Sequence, residues 1–201
     1  MYVNTMKDNT LLVLSDTHGN VKALETVLRW AEGLGSGTIG AAVFLGDGIR
    51  DLSRASEAAG FTGDWKIVRG NNDDAFSAPV HGAGFGGSHP ESTVFEFGGH
   101  RLFLCHGHRH SLYGGYYSLI AAARNKEADA VLFGHTHVPC CENDEGVTLV
   151  NPGSIGRPRG RTGATFVLAE CMPEKQIAVR FLGISRGGEI QEVQIPQNQF
   201  C

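Results

Sequence analysis

Short polar motifs that follow apolar runs are the feature that most constrains the fold and the chemistry of this chain. In order they are Asp16-Thr17-His18, Gly46-Asp47, Gly70-Asn71-Asn72-Asp73, His106-Gly107-His108 and Gly134-His135-Thr136-His137. Each motif offers Asp, Asn or His, side chains that bind divalent cations through oxygen or imidazole nitrogen. Ligands of open α/β sheets collect beyond the carboxyl ends of the strands. The pattern therefore predicts that the motifs meet at one rim and form a metal site.

The apolar runs themselves predict strands separated by helices. Amphipathic spacing indicates a helix from Val21 to about Leu34, and a second helix is expected from about Leu112 to Glu127. The expected strands are 11–15, 41–45, 66–69, 93–97, 101–105, 130–133, 147–150, 164–168, 177–182 and 189–195. The first strand, helix and second strand read as a βαβ unit with parallel strands. Two packed sheets with helices outside them, an α/β sandwich, would bury these elements around one core.

The length of 201 residues fits one domain with a substantial core, so we expect a single domain over 1–201. Its motifs would occupy 11–154, and its C-terminal strands would lie within 164–195. No run approaches the roughly 18 consecutive apolar residues that a membrane span needs, and no secretory leader is recognisable.

The five cysteines form an odd set whose only close pair, Cys140-Cys141, is adjacent. This favours reduced thiols and a cytoplasmic location.

The formal charge of −4 predicts no stable nucleic-acid complex and no membrane partner. The one dense basic cluster is Arg157-Pro158-Arg159-Gly160-Arg161, where a solvated loop is favoured over a role in contacting phosphate.

The Gly-rich segment from Ser77 to Ser92 is read as an ordinary connection in preference to a mobile flap. A homo-oligomer is compatible with the sequence, which does not choose an oligomeric state.

The ordered motifs resemble the calcineurin-like metallophosphoesterase superfamily, and most of all its small single-domain phosphodiesterase branch. The resemblance runs from Leu11 to about Ser154 and includes Asn151-Pro152-Gly153-Ser154, similar to a turn of the small phosphodiesterases. It implies a four-layer α/β/β/α sandwich of two packed mixed sheets flanked by helices. It also implies a dinuclear centre that hydrolyses small phosphodiesters with a hydroxide bridging the two metals.

Carried over by position, the resemblance assigns seven ligands. Three would hold the first metal, three the second, and one would bridge both: Asp16, His18 and His137, then Asn71, His106 and His135, and finally Asp47. Asp47, Asn71 and His106 would act in catalysis through the metals, with no side-chain nucleophile. Turn or cap chemistry is the alternative for Asp47 and Asn71. Mn²⁺ is the expected ion, and Ni²⁺, Fe²⁺, Co²⁺ and Zn²⁺ also suit His and carboxylate ligands.

Asn72 departs from the wider superfamily, in which many members have a histidine there that protonates the leaving group. An amide cannot act as that acid, so phosphodiesters, especially activated ones, are favoured over monoesters. Asp73 is expected to hydrogen-bond a metal-ligating histidine, with a solvated turn as the alternative. His108 and Arg109 are candidates for contacting the substrate phosphate, with a surface role as the alternative.

A second reading is a protein-interaction scaffold of the same fold that binds metal with little or no turnover. The retromer subunit with this fold, which the chain also resembles, acts as such a scaffold. Scaffolds of this kind tend to lose metal ligands, whereas all seven positions are filled here. The filled positions favour the enzyme.

Overall fold

The computed structural model describes residues 9–74, 87–112, 114–144 and 146–195. The helices are α1 (Val21–Gly33), α2 (Ile49–Ala59) and α3 (Tyr117–Arg124). The strands are β1 (Thr10–Leu14), β2 (Ala41–Phe44), β3 (Trp65–Ile67), β4 (Ser92–Phe97), β5 (His100–Cys105), β6 (Ala130–Phe133), β7 (Cys140–Asp144), β8 (Val147–Asn151), β9 (Thr165–Met172), β10 (Gln176–Ile184) and β11 (Ile190–Glu192). Across these ranges, no helix has the length and apolar character that crossing a membrane requires.

The strands form two mixed sheets. The first has the order β11-β10-β9-β1-β2-β3, in which β1, β2 and β3 are parallel and β9 to β11 are antiparallel. The second has the order β4-β5-β6-β8-β7, with β5, β6 and β8 parallel and both edge strands antiparallel. Leu14 of β1 pairs with Phe44 of β2, so these two strands end level with each other. Cys105 of β5 likewise pairs with Phe133 of β6.

Alternating side chains of the central strands build the layers. Val13 and Val43 of the first sheet pack against Leu104 and Leu132 of the second, forming a core between the sheets. The next residue of β1, Leu14, points to the other face, where α1 and α2 cover the first sheet. Helix α3 covers the outer face of the second sheet. The layers are therefore helices, sheet, sheet and helix, as the expected α/β/β/α sandwich requires.

The structure corrects three expectations about the elements. The second predicted helix begins at Tyr117 and not near Leu112, because Gly115, which precedes the N-cap Tyr116, adopts a φ of 128°. Two elements were not predicted, α2 and β7. Helix α2 buries Ile49, Leu52 and Ala55 at a spacing of three residues, an amphipathic pattern that the sequence-based prediction did not use. Strand β7 has only one buried residue, Cys140, and lacks an apolar run.

The remaining predictions match more closely. The hairpin at Gly98-Gly99 joins β4 to β5 as expected. The last predicted strand, 189–195, shortens to β11. Cys140 takes part in a disulfide bond, so the expectation of five reduced thiols is wrong at that position. Most of the candidate flap lies outside the described residues, which resume at Gly87.

Candidate metal centre

The polar motifs lie where the central strands of both sheets end. Asp16 and Asp47 follow β1 and β2, whose ends are level, and His106 and His135 follow β5 and β6, whose ends are also level. Because the two sheets pack face to face, their carboxyl edges supply one shared rim. The sequence-based expectation that these motifs meet at the strand ends is confirmed for these four positions.

Left-handed backbone turns carry most of the expected ligands. These residues have positive φ angles although none is glycine: Asp16 (55°), His18 (43°), Asp47 (58°), His135 (69°) and His137 (63°). Such a conformation costs a side-chain-bearing residue about 1 kcal/mol or more and persists only where the surroundings hold it. Asp16 is held by a hydrogen bond from its N–H to the carbonyl of Gly46 at 3.0 Å. Clustering of this strain marks the rim as a functional site.

Asp16 lies at the centre of the cluster and is fully buried. Its Oδ2 accepts hydrogen bonds from the Ser15 hydroxyl at 2.5 Å and from the His135 N–H at 3.0 Å. Its Oδ1 lies among histidine Nε2 atoms, at 3.1 Å from His137, 3.5 Å from His18 and 4.0 Å from His106. One oxygen is thus anchored to the protein while the other faces the imidazoles.

Asp47 lies between two of the same histidines. Its Oδ2 is 3.4 Å from His106 Nε2 and 3.6 Å from His18 Nε2. Asn72 donates its backbone N–H to Oδ1 at 2.8 Å and its side-chain amide to Oδ2 at 2.5 Å. This central position is what a bridging carboxylate needs.

Backbone carbonyls orient two of the imidazoles. Nδ1 of His106 lies 2.6 Å from the carbonyl oxygen of Leu45, and Nδ1 of His137 lies 2.7 Å from that of Arg157. A carbonyl can only accept, so each Nδ1 carries a proton, and in the neutral ring each Nε2 is left as the atom that can bind a metal. Histidines that bind metals are fixed in this manner.

Two buried atoms of the cluster lack a hydrogen-bond partner among the described residues, Asp16 Oδ1 and His106 Nε2. Buried polar atoms are nearly always paired, so these two require an explanation. Two groups of side chains converge there closely enough to hold a cation: Asp16, His18 and His137 form one, and Asp16, Asp47 and His106 form the other. Carboxylate and imidazole donors fit a divalent transition metal.

The protonation states also suit metal binding. Burial opposes ionisation of Asp16, but the nearby imidazoles of His137, His18 and His106 and the Ser15 hydroxyl outweigh it and hold its pKa far below the usual range. Burial acts on Asp47 in the same direction, yet His106 and Asn72 lower its pKa to about 2. Both carboxylates are therefore ionised at neutral pH. For His106, burial favours the neutral ring, whereas Asp47 and Asp16 favour the charged ring and raise its pKa overall.

The structure places the other expected ligands less centrally. The His135 ring lies 5.1 Å from the His106 ring, centroid to centroid, so it borders the cluster. Asn71 is an exposed residue. Asp16 belongs to both groups, although the resemblance gave the bridging role to Asp47 alone.

Asp73 differs from its expected role. Its Oδ2 accepts hydrogen bonds from the N–H groups of Asp47 and Gly70, and its Oδ1 accepts from Gly48 and Ile49. No hydrogen bond to a histidine is found for it among the described residues, so that expectation is wrong. Asp73 instead fixes the turn that carries Asp47 and the first N–H groups of α2.

The two candidate substrate contacts also differ from each other. Arg109 is paired with Glu91, with Nη2 2.9 Å from Oε1, and Glu91 also binds Arg69. The guanidinium of Arg109 is therefore held by Glu91, which it shares with Arg69. The His108 ring lies 5.5 Å from that of His106 and 6.3 Å from that of His135, at the border of the cluster.

Several supporting residues were not singled out by sequence reasoning. Asp51, on the unpredicted helix α2, accepts hydrogen bonds from the Thr17 hydroxyl and the Gly19 N–H, both at 2.7 Å. The Ser154 hydroxyl donates to the Asp16 carbonyl at 2.7 Å. The motif Asn151-Pro152-Gly153-Ser154 was recognised, but its contact with the Asp16 turn spans 138 positions and no local pattern reports it.

Comparison with known proteins agrees with this geometry. A model of the calcineurin-like phosphoesterase superfamily domain matches residues 10–174. Probable metallophosphoesterase YsnB of Bacillus subtilis (strain 168) is 26% identical over 184 residues, covering 92% of this chain and 96% of that protein. Phosphodiesterase YfcE of Escherichia coli (strain K12) is 29% identical over 167 residues, covering 78% and 84%. The structure of vacuolar protein sorting 29 from Cryptosporidium parvum shares the fold, with a TM-score of 0.73 and 20% identity over 93% of this chain and 96% of that one.

Proposed function

Since the chain belongs to the calcineurin-like phosphoesterase superfamily, we propose that it is a phosphodiesterase that works with two divalent ions, with Mn²⁺ as the first candidate. The observation that carries the proposal is the buried Oδ1 of Asp16, which has no hydrogen-bond partner among the described residues and faces the Nε2 atoms of three histidines. A cation at this position would satisfy the oxygen and the imidazoles together.

The proposed ligands divide into two sets that share Asp47. Asp16, His18 and His137 would hold one ion, and His106, His135 and Asn71 the other. Converging donor atoms support the first set directly. The second is supported by His106 and Asp47, with His135 beside them. Asn71 is included only because of its position in the motif Gly70-Asn71.

Divalent ions bound here would lower the pKa of a water molecule and neutralise charge on the phosphate. The residues of the chain supply the framework for that chemistry. Asp16 and Asp47 are the anionic members of the proposed ligand set, so a site filled by two dications keeps excess positive charge. Excess positive charge favours an anionic diester and the negative charge that develops on its oxygens during the reaction.

The preference for diesters rests on Asn72. Its amide donates to Asp47, and an amide offers no proton acidic enough to assist a leaving group. Substrates whose leaving group departs without such help should therefore react best. The name of the Escherichia coli relative, a phosphodiesterase at 29% identity, supports the same preference.

A metal-binding scaffold with little turnover is the second candidate. Two observations favour it: the exposed side chain of Asn71 and the amide at position 72, where an acid could have stood. In that case the protein would bind metal at the same site but would hydrolyse no ester. We further propose a small substrate and a cytoplasmic location, which the free thiols of Cys105, Cys141 and Cys171 support although Cys140 is disulfide-bonded.

The test is hydrolysis of bis-p-nitrophenyl phosphate against p-nitrophenyl phosphate by metal-stripped protein, with Mn²⁺, Ni²⁺, Co²⁺, Zn²⁺ or Mg²⁺ restored in turn. Bound metal per chain is measured in parallel by elemental analysis. Metal-dependent preference for the diester supports the proposal. Two bound ions without turnover of either ester would favour the scaffold, and no bound metal would contradict both.

A further inference from the structure

A cavity of about 370 Å³ opens beside the proposed metal centre. Its wall includes His135, a proposed ligand, so a group held there would lie next to the reacting phosphate. The volume lies in the range of small-molecule sites, roughly 300–1,000 Å³. The cavity is therefore large enough for one organic arm of a diester.

The lining favours a flat, partly apolar group. Leu112 and Val138 supply aliphatic surface, and His108, His110 and His135 supply ring edges and faces. Rings of this kind stack with heterocycles and aromatic groups. The arm is therefore best matched by a planar ring.

Arg159 is the cation on this wall and is exposed. Its guanidinium forms no ion pair or side-chain hydrogen bond with the described residues, in contrast to that of Arg109. Its backbone N–H donates to the carbonyl of His137 at 3.0 Å, which ties the basic loop to the metal-site turn. The described lining contains no carboxylate. An anionic group in the cavity would therefore meet an available positive charge without repulsion.

A cavity on the His18 and Asp47 side of the proposed metal centre has the reverse charge. This second cavity, of about 250 Å³, is lined by Asp47, Asp51, Asp73 and Asp74, and its single arginine, Arg50, is ion-paired with Asp74. An anionic arm would be repelled on that side. The two sides of the centre therefore distinguish the two arms of an asymmetric diester.

We infer that Arg159 determines substrate specificity by binding a second phosphate on a planar arm of the diester, as a nucleotide arm would present it. The inference rests on the proposed phosphodiesterase function and deepens it. Arg159 would lower KM for such substrates, because its contact with the remote phosphate is the same before and during bond cleavage.

The test compares two esters that differ by one phosphate, thymidine 5′-(p-nitrophenyl phosphate) and the same ester carrying a 3′-phosphate. The wild-type protein with Mn²⁺ should show a KM about tenfold lower for the 3′-phosphorylated ester, as one charge-assisted contact provides. Arg159→Gln should abolish that preference with little change in kcat. Arg161→Gln is the matched control, because it removes the same charge from the same loop outside this cavity.

Calorimetric binding of thymidine 3′,5′-bisphosphate against thymidine 5′-monophosphate, at fixed Mn²⁺, separates this inference from the proposed function. Tighter binding of the bisphosphate that depends on Arg159 and not on Arg161 supports the inference, even if neither ester is hydrolysed and the proposed function fails. Equal affinity for both nucleotides in the wild-type protein would overturn it. Equal losses in the two variants would also overturn it.

Discussion

Asn72 donates hydrogen bonds to both carboxylate oxygens of Asp47, through its backbone N–H at 2.8 Å and its side-chain amide at 2.5 Å. The oxygen that accepts from the amide is the one that faces His106 and His18. Asn72 therefore orients the carboxylate that the two proposed ions would share. Asn72 occupies the position at which the family resemblance leads one to expect a histidine acid.

Asn72→His should raise activity on diesters with poor leaving groups, because an imidazolium can donate the proton that an amide cannot. The measurement is kcat/KM for a series of aryl diesters of rising leaving-group pKa. The gain should grow along the series. Asn72→Ala is the control, since it loses the same side-chain hydrogen bond without adding an acid. A uniform fall with His, parallel to that with Ala, would count against a missing acid.

Asp47→Asn should release bound metal and reduce kcat about 100-fold or more, because an amide in place of the carboxylate removes the charge that both ions would share. Asp47→Ala should do the same. Bound metal per chain and diester hydrolysis are measured together. Asp64→Asn is the control, since that exposed carboxylate forms an ion pair with Lys66 only, among the described residues. Unchanged metal content and rate in the Asp47 variants would remove the bridging assignment.

Gly134→Ala should weaken metal binding, because a Cβ at that position would lie 2.1 Å from Ser15 Oγ and 2.7 Å from Asp16 Oδ2. Relief of this overlap would move the Asp16 carboxylate and cost about 1–3 kcal/mol of stability. Mn²⁺ titration and chemical denaturation report the two effects. Gly163→Ala is the matched control, as nothing lies within 4 Å of its Cβ. Equal behaviour of the two variants would show that the Asp16 turn tolerates displacement.

Asp129 should make stability depend on acid pH. Burial raises its pKa, but hydrogen bonds from the Arg101 N–H and the Lys175 ammonium outweigh burial and lower the pKa in the folded protein. A carboxyl with a lowered folded pKa stabilises above its unfolded pKa of about 3.9, and that stability is lost as pH falls through the folded pKa. Wild type should thus be more stable than Asp129→Asn at pH 6, and the difference should shrink towards pH 3.

Denaturation of both proteins at several pH values measures this difference. Glu57→Gln serves as the control, because Glu57 is exposed and has no ion pair with the described residues. It should retain the acid dependence of the wild-type protein. A wild-type to Asp129→Asn difference that stays constant with pH would contradict the assignment.

Local signals predicted much of the fold. The central strands are short apolar runs, and helix α1 has Leu24, Val27, Leu28 and Ala31 buried on one face, as its spacing requires. Strand β7 escaped prediction because it lacks an apolar run, whereas helix α2 has an amphipathic face that the prediction did not use. The start of α3 was misplaced because Gly115, and not the apolar spacing, decides where that helix begins.

The sequence by itself determined which motifs carry the candidate Asp and His ligands, and that each motif follows a strand. Only the tertiary structure decided that Asp16 reaches both converging groups, that Asp73 holds backbone amides, and that Arg109 is ion-paired while Arg159 is available. Strand and turn signals act over a few residues, whereas these contacts join residues that are far apart in the chain. Their geometry depends on how the two sheets pack, which no local pattern encodes.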